Sequence, residues 1–243
     1  MTEPTRRPML VVDVENSESL TNVQGHAMRV ALYRIIEGSM PQADSLVDQE
    51  DRGDGALLIF GIPVLDVLDR VVGGMLAGVR EHNNSAGPTN WLRVRIAVHE
   101  GYVGRDEKGW SSDALTETFR MNSDRAVKQA LERAPRADTV VVVSDEVFRG
   151  LVRHSYRDTV TPDEYASVSM RLKAGDQRIW VRVPGYPEPP LPQPDSAPTE
   201  SEDDSRAPDS GLDGGTIRAT NFISGNVTGN NNLAGRDNVI GRS

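Results

Sequence analysis

No cysteine occurs among the 243 residues, which excludes a disulfide framework and any thiolate metal site. Aromatic residues make up only 5% of the chain, so aliphatic side chains must build the core. Basic charge is also scarce: 27 Lys and Arg stand against 36 Asp and Glu, a formal net charge of −9. The attraction to phosphate backbones that supplies most non-specific nucleic-acid affinity is therefore missing, and nucleic acid is not an expected partner. No apolar run is long enough to span a bilayer, and the opening MTEPTRRPMLVV has no signal-peptide core. These absences predict a cytoplasmic protein without membrane contact.

What remains, 37% apolar residues in a chain of this length, suits one domain of ordinary size with an appendage. Composition places the boundary near Pro184. Up to there apolar runs alternate with helical periodicity, which predicts a globular domain over residues 1–184. Residues 185–215, GYPEPPLPQPDSAPTESEDDSRAPDSGLDGG, are rich in Pro and acids and almost free of large apolar side chains. Such a stretch cannot bury enough surface to offset its ordering entropy, so a disordered linker is expected. Residues 216–243 change character again. A unit in which an Asn precedes an apolar residue and a Gly follows shortly recurs, from Asn221 to Gly225, Asn226 to Gly229, Asn232 to Gly235 and Asn238 to Gly241. Weak charge, β-branched residues and an absence of proline make this tail β-prone and suited to cross-β stacking with Asn ladders.

Within the first part, MLVVDV reads as a buried strand feeding a helix, with Val23, Ala27, Val30, Ala31 and Ile35 at helical spacing as its apolar face. DSLVDQEDRGDGALLIFG reads as a hairpin turned by Gly53-Asp54-Gly55. A helix through VLDVLDRVVGGMLAGVREHN, a strand in WLRVRIAVHEGYV, one helix over ALTETFRMNSDRAVKQALERA, a strand in TVVVVS, a helix in DEVFRGLVR and two closing strands, SVSMRL and RIWVRV, follow. This order implies an α/β sandwich with helices packed on a mixed sheet. His26 and His99 lack an acidic or histidine partner at ligand spacing and read as structural.

The strand with Asp13, the hairpin DRGDGALLIF with Asp54, the segment LRVRIAVHEGYV and the run TVVVVSDEVFRGL resemble, in order and spacing, the class III adenylyl and guanylyl cyclase domains, over roughly Met9 to Pro184. The resemblance implies a ferredoxin-like cyclase sandwich and the conversion of a nucleoside triphosphate to a cyclic nucleotide and pyrophosphate. It assigns two divalent ions, Mg2+ or Mn2+, to Asp13, Asp54 and the backbone carbonyl of Val14. Each aspartate also has a plain structural role open to it: Asp13 could cap the next helix, and Asp-Gly at 54–55 suits a turn. Ser17 stands where the family usually has an aromatic residue.

Glu50 matches the family position that reads the base. A carboxylate accepts two hydrogen bonds, and guanine offers two donors on its Watson–Crick edge where adenine offers one beside an acceptor, so Glu50 favours GTP. Uracil also offers a ring N–H, and a solvated acid among Asp48, Asp51 and Asp54 is the structural alternative. Thr116 and Arg120 match the family's ribose-orienting asparagine and transition-state arginine, the asparagine being replaced here. Lys173 matches a phosphate-binding lysine. Because the family builds each site from two subunits, the resemblance also implies a twofold homodimer.

The tail has its own resemblance. N-x-I-S-G-x-V-x-G, then A-G-x-D and I-G, spanning Asn221 to Gly241, is similar to the bacterial amyloid signalling motifs related to the RIP homotypic interaction motif, without the glutamine often found at their centre. It implies templated assembly with a NOD-like receptor protein that carries a matching motif. Two functions of different class thus follow: a cyclase recruited or clustered through its tail in conflict or phage-defence signalling, or a catalytically inactive cyclase-like adaptor. A pyrimidine cyclase is a variant of the first.

Overall fold

The computed structural model describes residues 3–42, 44–87, 90–172 and 175–192. Lys173, most of the expected linker and the whole Asn-rich tail lie outside the described residues.

A long strand, β1 (Thr5–Val14), leads into helix α1 (Asn22–Gly38), whose first turn is fixed by a capping box between Thr21 and Gln24. The hairpin β2 (Leu46–Asp51) and β3 (Gly55–Phe60) follows, then a helical stretch made of α2 (Val64–Asp66), a π-helical turn (Val67–Val72) and α3 (Gly73–Ser85). Strand β4 (Val94–Asp106) turns into the short β5 (Gly109–Ser111), and α4 (Asp113–Ser123), α5 (Arg125–Glu132), β6 (Thr139–Ser144), α6 (Asp145–Gly150), β7 (Tyr165–Leu172) and β8 (Gly175–Arg182) complete the chain.

The strands form one mixed sheet in the order β2-β3-β1-β4-β6-β8-β7, with β5 paired to β4 alone. Its first four strands, in a β-α-β-β-α-β chain order, are the ferredoxin-like arrangement, and β4 and β6 pair in parallel. Alternation along β1 decides what each face carries. Leu10, Val12 and Val14 point to a layer formed by α1 and α3, with Leu32, Ile36, Val71 and Met75 fully or nearly fully buried there. Met9 and Val11 point to the opposite layer, where Leu115, Met121, Val127 and Leu131 of α4 and α5 pack. Asp13 is in phase with Met9 and Val11, so it emerges on the α4 side. Tyr186 and Leu191 run on against this second layer, and Arg133 donates to the Leu191 carbonyl at 2.9 Å.

Two local expectations are corrected. The buried face of α1 is Met28, Leu32, Ile35 and Ile36, while Val23 and Val30 are exposed. The helix expected over residues 114–134 is two helices, because Asp124 leaves helical geometry (ψ 142°) and its carboxylate caps the next turn by accepting from Ala126 N–H at 2.8 Å.

The hairpin is locked to β1 by close packing. Gly55 faces Asp13 in the β1–β3 register, and a Cβ at residue 55 would lie 2.2 Å from the Val12 carbonyl oxygen. Gly55→Ala must therefore push two paired strands apart, and a loss of stability at or above the usual overpacking range of about 1–3 kcal/mol is expected in chemical denaturation. A Gly55→Ala protein as stable as the parent would refute this packing.

Candidate active site

The C-terminal end of β1 brings together Asp13, Val14 and Asp54. Asp13 lies opposite Gly55 across the β1–β3 ladder, and Val14 donates its N–H to the Asp54 carbonyl at 3.1 Å. Asp13 does not cap α1, since Thr21 does, while Asp54 sits in the β2–β3 turn as its Asp-Gly sequence suggests and its side chain accepts a short 2.5 Å bond from the Ser17 hydroxyl. The hairpin bearing Asp54 is also tied to α1, since Arg29 bonds the Asp51 carboxylate and, at 2.6 Å, the Gly53 carbonyl. The Arg29 guanidinium, with the Gly53 N–H, holds the Asp51 carboxyl well below the usual carboxylate range.

Asp13 is partly enclosed beneath α4. Its Oδ2 accepts from Arg95 at 2.8 Å, and Oδ1 is buried without a partner. Burial pushes its pKa up, Arg95 and the Asn122 amide pull it back, and the nearby Asp54 charge raises it further. One rung along the sheet, Glu15 pairs with Arg93 at 3.0 Å, and its carboxyl is likewise raised chiefly by burial. Arg95 and Asn122 are the neighbours that sequence reasoning missed. A charged residue within the apolar run at the start of β4 was the available signal for Arg95, whereas Asn122 becomes a neighbour of Asp13 only when α4 docks.

Among the described residues no three His, Cys, Asp or Glu side chains form a metal-holding cluster. The donors at the end of β1 still fit a hard cation that keeps most of its waters: two carboxylates, an adjacent backbone carbonyl, and a buried carboxylate oxygen left without a partner.

The other site candidates are spread over the same side of the sheet. Glu50 on β2 pairs with Arg52 at 2.6 Å, and Arg52 in turn lies over the Phe119 ring of α4, 4.9 Å from its centroid. β5 closes over this strand. A Cβ on Gly109 would sit 3.2 Å from Glu50 Oε1, and Trp110 donates its indole N–H to Asp48 at 2.8 Å. Thr116 and Arg120 are exposed on α4, with the Thr116 hydroxyl donating to the Ser112 carbonyl at 3.1 Å. Residues two apart on a helix point about 200° from each other. With Asn122 turned to Asp13, Arg120 and Thr116 face away from the carboxylates of their own chain. Lys173 lies outside the described residues. His26 is exposed, and His99 is buried with Ser144 and Glu117 as neighbours.

No family model and no curated protein matches the chain. Solved structures do. An adenylate/guanylate cyclase/hydrolase from Silicibacter pomeroyi superposes with a TM-score of 0.52 at 16% identity, over 76% of this chain and 100% of that one. The dimeric guanylyl cyclase domain of the RhoGC fusion protein from the aquatic fungus Blastocladiella emersonii gives 0.51 at 13% identity, over 74% of this chain and 98% of that one. Among the described residues no helix is long and apolar enough to cross a membrane. Sheet order, helix layers and these superpositions together establish that the chain has the fold of the adenylyl and guanylyl cyclase domains.

Proposed function

We propose that this protein is a cytoplasmic nucleotide cyclase that converts a nucleoside triphosphate, GTP in preference, to a cyclic nucleotide and pyrophosphate. The observation that carries the reading is the convergence of Asp13 and Asp54 at the end of β1, with Asp13 Oδ1 buried and unpartnered. Asp13, Asp54 and the Val14 carbonyl would hold two ions, Mg2+ or Mn2+. Bound there, such ions supply Lewis-acid activation of the ribose 3′-oxygen and neutralise phosphate charge. In the reaction that oxygen bonds to the α-phosphorus, the bond to the bridging oxygen of pyrophosphate breaks, and the 3′-hydroxyl proton leaves.

The chain's own residues supply orientation. Glu50 accepts from the guanine edge, and Arg52, bonded to it, fixes where the carboxylate points. Arg120 meets the charge that develops on the phosphate, and Thr116 takes the place of a ribose-orienting side chain. Lys173 would bind phosphate. Because Thr116 and Arg120 face away from the carboxylates of their own chain, a complete site needs a second copy, consistent with a twofold homodimer. The tail would recruit or cluster the domain through a NOD-like receptor protein with a matching amyloid motif, in conflict or phage-defence signalling.

One observation favours the alternative, a catalytically inactive cyclase-like adaptor: the Thr116 hydroxyl is bonded to its own helix at Ser112 and is shorter than the asparagine it replaces. Purified protein incubated with each nucleoside triphosphate and Mn2+, with products read by mass spectrometry, separates the two. A cyclic product from GTP or UTP supports the enzyme, and absence of any cyclic product supports the adaptor. In an active enzyme, Glu50→Lys places an ammonium beside Arg52 and removes the acceptor for guanine donors. The ratio of GTP to ATP use should fall by about tenfold or more, one hydrogen bond to a charged group being worth about 1.5–3 kcal/mol. An unchanged ratio makes Glu50 a solvated hairpin acid.

A further inference from the structure

Helix α4 carries the two side chains assigned above to ribose and phosphate, yet its own tether to the sheet is an acid. Glu117, on the turn between Thr116 and Arg120, accepts a hydrogen bond from Gln177 of β8 at Oε1, and its Oε2 lies 3.9 Å from Nε2 of the buried His99 of β4. His99 is itself fixed from the other side, with Nδ1 2.8 Å from the hydroxyl of Ser144, the residue that caps α6. A carboxylate on the inner edge of an amphipathic helix is costly unless it is partnered, and here Gln177 is the partner while His99 packs beside it.

The first turn of α4 is pinned a few residues earlier. A Cβ on Gly101 would fall 2.4 Å from Ala114 Cβ, so the helix lies directly on β4 there. Apolar contacts from Leu115 and Met121 hold the helix down. They are non-directional, and the bond between Glu117 and Gln177 adds a directional restraint to the packing of that face.

We infer that Glu117, bonded to Gln177 and packed beside the buried ring of His99, is a positioning residue that fixes the rotation of α4 and so keeps Thr116 and Arg120 directed outward toward a second subunit. The roles of Thr116 and Arg120 rest on the cyclase reading; the clamp does not. An error of about 1 Å in placing a reacting group can cost about 100-fold in rate, so a device that sets the helix angle belongs to the reaction although it touches no substrate.

The groups facing His99 are Ser144, Glu117, Glu146, Glu100 and Arg6. Burial, the largest influence, holds its pKa below the usual histidine range, and Glu117 opposes that. The folded protein thus prefers the neutral ring. Stability contributed by His99 is present at neutral pH and declines as pH falls below about 6.5, where the unfolded chain takes up the proton first.

The test compares the full-length protein with Glu117→Leu, Glu117→Gln and His99→Gln by hydrogen exchange. Glu117→Leu should speed exchange of the α4 amides by about tenfold while the β6 amides are unchanged, and Glu117→Gln, which keeps an oxygen for Gln177, should restore most of the protection. His99→Gln should loosen α4 and flatten the decline of stability below pH 6.5. Where cyclic product is formed, Glu117→Leu should lower kcat about 10- to 100-fold with KM for the triphosphate unchanged. Unaltered α4 exchange in both Glu117→Leu and His99→Gln overturns the clamp, as does a Glu117→Gln protein as impaired as Glu117→Leu. If the parent protein makes no cyclic nucleotide, the cyclase reading falls and the exchange measurement still decides the clamp.

Discussion

Asp13→Asn and Asp54→Ala are each expected to reduce Mn2+-dependent cyclic nucleotide formation by at least about 100-fold, because each removes a carboxylate from a donor set that has only two. Asparagine is the informative change at residue 13. Asp13→Ala would strip the partner from Arg95, whose side chain is only 11% exposed, and leave a charge stranded beneath α4. Breaking a fully buried ion pair costs about 3–5 kcal/mol, and the cost here is smaller because Asp13 is 25% exposed, yet it is enough to confuse lost chemistry with lost folding. Among the described residues Asp54→Ala loses the one side-chain bond from Ser17, and its fold should be intact by circular dichroism. If an active parent retains its activity in both variants, the assignment of the metal-binding carboxylates is wrong.

The second large effect concerns the Asn-rich tail. A peptide of Thr216 to Gly241 should assemble into thioflavin-positive fibrils, and the same segment fused to a fluorescent protein should form foci in cells. Ile223→Asp with Val227→Asp should abolish both, since a charge repeated at every layer of an in-register stack repels its neighbours along the whole fibril. Cyclase activity of the full-length double variant in dilute solution should equal that of the parent. A peptide that stays monomeric at high concentration, alone and with receptor motifs, would remove the amyloid-signalling reading.

Much of the fold was legible because its strands are β-branched and its turns are marked. TVVVVS can hardly be anything but a buried strand, and Gly53-Asp54-Gly55 announces the hairpin that carries one carboxylate. The face of α1 was not legible, for a definite reason: Val23, Ala27 and Val30 satisfy a 3.6-residue period as well as Met28, Leu32 and Ile35 do. Only the neighbours of the helix decide between two faces that periodicity ranks alike. The break at Asp124 carried a local sign, an aspartate able to cap, that a continuous apolar rhythm concealed.

The environment of the site was hidden more deeply. Arg95 meets Asp13 across a strand register, and Asn122 reaches it only through the docking of a helix more than a hundred residues later in the chain. Glu117 and His99 stand apart in sequence and show no ligand spacing. Pairings of this kind are set by tertiary packing, which residue spacing does not encode.

The edge of the sheet at β2 has a bearing on the tail. A free strand edge is a template on which another extended chain can add, and a protein that carries a segment prone to stack would be at risk from its own folded part. Along β2 the residues are Asp48, Gln49, Glu50 and Asp51, preceded by an irregularity in the pairing with β3 between Leu46 and Asp48. Three acids in four positions, each paired with an arginine, line a kinked edge, so an incoming strand must contend with these ion pairs and finds no straight ladder. This border of the domain therefore resists strand addition by any extended segment, whatever its source.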